Sequence, residues 1–108
     1  MNAELIREYV LKKKNVTEGF PFGEDVIVFK VSNKIFLLVP LNESPLQFNV
    51  KCDPERAVAL RDEYPETVLP GYHMNKKHWN TVIIDGRLSV QQLKDMIDHS
   101  YELVKKIK

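Results

Sequence analysis

A single cysteine, four glycines, almost no surplus of charge and no long apolar run mark this 108-residue sequence, and most of these scarcities close off a class of protein. Cys52 has no partner, so neither an internal disulfide nor a cysteine-rich zinc ribbon is available. No stretch approaches the roughly 18 consecutive apolar residues that a membrane span requires. The first residues, MNAELIREYV, lack the basic-then-apolar pattern of a secretory signal, so the expectation is a cytoplasmic chain with no membrane partner. The 16 basic and 15 acidic side chains leave a net charge of +1, less than a dedicated nucleic-acid binder usually carries. Any contact with DNA must therefore rest on a local patch. There is no phosphate-cradling glycine loop, no Gly-x-Ser-x-Gly elbow and no His-Glu-x-x-His pair. Neither an enzymatic activity nor a cofactor is expected.

What is present is a core. Hydrophobic residues make up 44% of the chain, among them five Phe, four Tyr and one Trp. One domain, residues 1–108, should bury about two-thirds of its unfolded surface. From Asn2 to about Lys14, the residues Leu5, Ile6, Tyr9 and Val10 form a helical stripe, and Lys12, Lys13 and Lys14 sit where a helix end favours cations. VTEGFPFGED (16–25) reads as a breaker. VIVFKV (26–31), KIFLLVPL (34–41) and LQFNVK (46–51) follow as strands, the first two joined at Ser32-Asn33. In the third, Leu46, Phe48 and Val50 alternate with Gln47, Asn49 and Lys51, the pattern of a sheet with one solvated face. CDPERAVALRDEY (52–64) is a second helix, capped by Asp53 and begun by Pro54. GYHMN (71–75) and HWNTVII (78–84) read as a hairpin with Lys76-Lys77 near its tip and Asp85-Gly86 closing it. A capping box, Ser89 with Gln92, opens the last helix, whose inward stripe is Leu93, Met96, Ile97, Ser100, Val104 and Ile107. The connections are too short for parallel crossovers. The order is α-β-β-β-α-β-β-α, an α+β fold of two layers with an antiparallel five-stranded sheet.

Candidate chemistry concentrates in HMNKKHWNTVIIDG (73–86). His73, His78 and His99 invite a metal reading, but they lack zinc-ligand spacing and no metal site is expected. Cys52, at a strand end before a helix, is a conceivable nucleophile only with a base beside it; packing is the plainer role. Phe20 and Phe22 in GFPFG (19–23) either wall a small-ligand pocket or plug the gap between the first helix and the sheet. The 71–80 stretch is basic and free of acid. Its lysines suit phosphates, Asn75 a backbone or base contact, and Trp79 a stacked base. The competing reading is a solvated turn with Trp79 in the core.

Across PGYHMNKKHWNTVIIDGRLSVQQLKDMIDHSYELV (70–104), the His-x-Asn-Lys-x-His-Trp core, the Ile84-Asp85-Gly86 turn and Ser100-Tyr101 resemble the MmcQ/YjbR family of small bacterial proteins. PFGEDVIVFKV and VKCDPERAVALR extend the resemblance to essentially the whole chain. It implies a CyaY-like arrangement of three strands, a helix and two strands between terminal helices. It also implies non-enzymatic binding to double-stranded DNA by a "double wing", with His73, Asn75, Lys76, Lys77, His78 and Trp79 as one wing on the phosphate backbone. The same residues can instead lock the hairpin, Asn75 and His78 through their backbones and Trp79 beneath Tyr101. A second reading comes from the similarity of this architecture to secretion-chaperone folds: a protein-interaction module whose exposed sheet face or edge takes up a partner segment.

Overall fold

The computed structural model describes residues 1–71 and 74–106; Tyr72, His73 and Ile107, named above, fall outside them. Three helices and six strands succeed one another as α1 (Ala3–Leu11), β1 (Val16–Gly19), β2 (Val26–Val31), β3 (Lys34–Pro40), β4 (Gln47–Lys51), α2 (Pro54–Glu63), β5 (Val68–Pro70), β6 (Trp79–Ile83) and α3 (Val90–Lys105). The strands form one antiparallel sheet in the order β1-β2-β3-β4-β6-β5. The helix starts follow the sequence. Asn2 Oδ1 accepts from Leu5 N at 2.8 Å, Asp53 caps α2 with Pro54 in its first turn, and both capping-box bonds of Ser89 and Gln92 form. Ser32 and Asn33 turn at φ of 51° and 68°, the left-handed pair that matches a two-residue hairpin to strand twist.

Two expectations about strand boundaries change. The sheet has six strands rather than five, because the supposed breaker contains β1. Asn15, at φ 64°, reverses the chain so that Val16–Gly19 pairs with Val31–Val28. An edge strand of four residues with one apolar side chain shows no readable alternation. Phe20 and Phe22 then sit in the turn beyond it and are 50% and 65% exposed, so they do not plug the space under α1. The second correction concerns the hairpin. Its first arm is Val68–Pro70, upstream of the expected 71–75, and residues 76–78 form a turn. Pro70 ends the arm on the sheet edge, where a missing N–H is tolerated.

All three helices cover one face. Ile6 and Val10 of α1 and Leu93, Met96, Ile97, Tyr101 and Val104 of α3 share a core with Phe29, Phe48, Val50 and Val82, and Leu60 and Tyr64 of α2 pack against it. A bulge makes the centre of this core. Phe29 pairs with Leu37 but Lys30 with Ile35, leaving Phe36 as an extra residue, so Phe36 and Leu37 are both fully buried. Phe36 meets Tyr101 edge-on at 5.5 Å. Ser100 secures the join: its Oγ donates to Phe36 O at 2.6 Å and accepts from Lys51 N at 2.9 Å.

The other face carries no helix. The register places Val28, Leu38, Asn49 and Thr81 side by side across it. Asn49, expected to be solvated with Gln47 and Lys51, lies on the expected face but is buried, its Oδ1 accepting from Thr81 Oγ1. Ser100→Ala is expected to leave Phe36 O and Lys51 N without their partner and to lower stability by about 2 kcal/mol. Urea unfolding would show a lower midpoint with an unchanged slope.

Candidate nucleic-acid interface

In an antiparallel sheet alternate connections emerge at the same end. The register aligns Val16 with Val31, Val31 with Lys34, Lys51 with Trp79, and Asn80 with Pro70. One end therefore gathers Lys12, Lys13 and Lys14 after α1, the Ser32–Lys34 turn, Lys51, and the loop with Lys76 and Lys77. α3 finishes there too, since Tyr101 Oη donates to Lys14 O at 2.7 Å. The acids at this end are engaged or few: Asp53 caps α2 and Glu102 pairs with Lys105 at 3.3 Å, while Glu55 sits in the first turn of α2. The opposite end holds Glu24, Asp25, Glu43, Glu66 and Asp85, with Arg87 paired to the last two. The near-neutral total conceals a polarised molecule. Lys13 is the lysine most withdrawn from this set, bonded to Asp98 at 2.7 Å and resting over the rings of Tyr9 and Tyr101.

The loop residues divide by task. Asn75 Oδ1 accepts from Lys77 N at 3.0 Å, and Asn75 O accepts from His78 N and Trp79 N. Lys76 Nζ donates to Gly71 O at 3.2 Å, bridging the loop, and His78 O accepts from Cys52 N at 2.7 Å, tying it to the start of α2. Asn75, Lys76 and His78 thus build the loop, as the locking alternative expected for Asn75 and His78. Lys77 is exposed beside Pro54, Glu55 and Arg61 of α2. Trp79 does not pack beneath Tyr101. Asn80 and Val82 face the helices, so Trp79 and Thr81 point the other way, and Trp79 lies half-buried on the helix-free face opposite Lys51. A side chain at Gly71 would place its Cβ 2.8 Å from Trp79 Cβ and 3.0 Å from Trp79 O; glycine lets the loop cross closely there.

The lysines of this end and face that the motif did not include are Lys14, Lys30, Lys34 and Lys51. Lys30 and Lys51 share Trp79's face, and Lys34 follows the neighbouring turn. Element order alone could have gathered them, since four chain passes, β3, β4, α2 and β5, lie between the 32–34 and 71–78 connections and an even number returns the chain to the same end.

The YjbR family profile matches residues 11–103. The chain belongs to the YjbR family. It is 40% identical over 101 residues to YbdF of Escherichia coli O157:H7, an uncharacterized protein, covering 94% of this chain and 82% of that one. It is 29% identical over 102 residues to the uncharacterized YjbR of Escherichia coli K12, covering 94% and 86%. Among solved structures, Deinococcus radiodurans DR2400, a DUF419 domain, superposes with a TM-score of 0.93 at 36% identity over 97% of this chain and 79% of that one. A Pseudomonas syringae protein follows at 0.78 and 28%, covering 96% and 99%.

Behind the interface, this YjbR chain encloses a cavity of about 10 Å³ between α2, α3 and the sheet, lined by Cys52, Arg56, Asn80, Met96 and His99 among others, room for about one water. Asn80 is 1% exposed and its Oδ1 meets no donor among the described residues. Cysteine, histidine and asparagine around one void suggest a nucleophile, but the electrostatics oppose one. Burial pushes the Cys52 thiol up, only partly offset by Arg56, while burial and Arg56 hold the His99 imidazole below its ordinary value. His99 Nε2 is also occupied, accepting from Asp53 N at 3.2 Å. A neutral thiol and a neutral imidazole are the stable pair. Among the described residues no three His, Cys, Asp or Glu converge as a metal site, and no helix is long and apolar enough to cross a membrane.

Two outcomes follow. Because the folded state holds His99 below its unfolded value, the unfolded chain takes up the proton first. Stability should be full above about pH 6.5 and fall as the pH drops below it, and His99→Gln should flatten that slope in urea titrations from pH 7.5 to 5. Gly71→Ala should cost about 1–3 kcal/mol through the clash with Trp79 and shift the emission of this sole tryptophan.

Proposed function

We propose that this YjbR chain is a non-enzymatic nucleic-acid-binding protein whose lysine-rich end grips the phosphate backbone. The observation that carries this reading is the segregation of charge along the strands: the lysine-rich turns at one end, and Glu24, Asp25, Glu43, Glu66 and Asp85 at the other. A field of that shape attracts and orients a polyanion even when the total charge is near zero. Two turns lie at this end, Ser32–Lys34 and residues 74–78, and they suit the two wings that the family resemblance implies. The contacts are spread beyond the motif. Lys14, Lys51 and Lys77 are the principal phosphate donors, with the Ser32–Lys34 turn beside them, while Asn75, Lys76 and His78 hold the loop in shape. Lysine offers a point charge rather than a planar fork, so the binding reads backbone and shape more than sequence.

A second reading has its own observation. The helix-free sheet face, bordered at its acidic end by the exposed Phe20 and Phe22, suits an extended segment of a partner protein. The two readings separate by which end of the strands matters.

The test is fluorescence anisotropy with a labelled duplex from 50 to 200 mM salt. Four phosphate contacts give a log–log salt slope near −3.6. Lys14→Glu/Lys77→Glu should weaken binding and reduce the slope by about 2, whereas Glu43→Lys at the opposite end should not weaken it. Absent or salt-independent binding would remove this reading, and loss of binding on Phe20→Ser/Phe22→Ser instead would favour the second.

A further inference from the structure

We infer that Trp79 is a stacking platform for an unpaired base, and that the strand carrying this base runs across the helix-free face past Lys51 and Lys30. The inference rests on the nucleic-acid reading above and specifies its ligand as single-stranded.

A tryptophan beside an apolar strand normally belongs to the core, and here it does not. Trp79 is absent from the buried cluster, lies half-buried on the face that no helix covers, and forms no ring–ring pair among the described residues. Its surroundings are cationic. Lys51 is directly opposite on β4, and on β2 Lys30, paired with Ile35 and Thr17, lies on the same face. One aromatic and two lysines thus share this face. Trp79 and Lys30 are three strands apart, a lateral spacing of about 14 Å, long enough for a strand to lie between them.

The backbone beneath the platform is held in advance of binding. Gly71 N donates to Trp79 O, and Asn75 O accepts from Trp79 N. The position from which the ring projects is therefore set before a ligand arrives, which favours stacking. Charge decides the occupant. The lysines at this end complement phosphates, and every base offers a π-face to an indole. Geometry decides the strandedness. A duplex can touch the projecting turns, but its base faces are stacked within it and cannot reach a ring lying on the sheet.

Because Trp79 is the sole tryptophan, its emission reports the site directly. The experiment titrates the full chain at low salt with a twelve-base oligothymidine, a duplex, inorganic polyphosphate and an oligoglutamate peptide, with competition anisotropy run alongside. The expected result is binding of the first three, with quenching of Trp79 by oligothymidine alone. Trp79→Leu should weaken oligothymidine at least about fivefold, the low end for one stacked base, and leave duplex and polyphosphate within about twofold. Trp79→Phe should retain most of the affinity. If Trp79→Leu fails to fold, quenching in the wild type and affinity in Trp79→Phe decide. Oligothymidine binding without quenching, or equal quenching by polyphosphate, overturns the stacking site while the lysine interface stands. Equal quenching by oligoglutamate overturns it in favour of an acidic-peptide surface. No binding of any nucleic acid removes both.

Discussion

Ser100 holds together the point on which the two faces of the sheet depend. Strand side chains alternate, so one residue of slippage exchanges core and surface. The bulge between Phe29/Lys30 and Leu37/Ile35 uses that rule: it inserts Phe36 into the core and restores Lys30 and Ile35 to the open face. A bulge leaves a backbone carbonyl without its ladder partner. Ser100 supplies the donor for Phe36 O and at the same time accepts from Lys51 N. One hydroxyl from α3 thus ties β3, β4 and the helical layer, and sets which lysines face away from the core.

From that separation the lysine-rich end follows. The helical face is closed by aromatic and aliphatic packing, with Phe36 against Tyr101 and Lys13 laid over Tyr9 and Tyr101. The open face keeps a buried central row, Val28, Leu38, Asn49 and Thr81, and presents lysines and Trp79 toward one end. Antiparallel order then does the electrostatic work. Because successive turns alternate between ends, lysines distant in sequence converge and the carboxylates of the other turns are carried away from them.

The cavity behind Asn80 is the contrasting case. Its residue types match a catalytic group, yet burial keeps both Cys52 and His99 neutral and Asp53 N engages the imidazole. Its part in the protein is to join α2 to α3. The pH response expected of His99 is a stability effect at this joint, separate from the lysine end.

Much of the architecture was legible in the sequence because it rests on local chemistry. Caps at Asp53 and Ser89, the short turn at Ser32-Asn33, and strand alternation in 46–51 each depend on near neighbours. The family motif picks out the 73–79 stretch for the same reason, since its residues are contiguous. Three things were decided only by tertiary structure. β1 exists because β2 offers it a partner, and nothing within Val16–Gly19 demands a strand. Phe20 and Phe22 are exposed because that pairing carries them past the end of the sheet. Trp79 faces away from Tyr101 because its neighbours Asn80 and Val82 are claimed by the core, and alternation leaves it the other side. Composition determined enough apolar side chains for a core and a total charge near zero; the antiparallel register determined where that charge lies, because only pairing across strands places residues that are far apart in the chain at one end of one sheet.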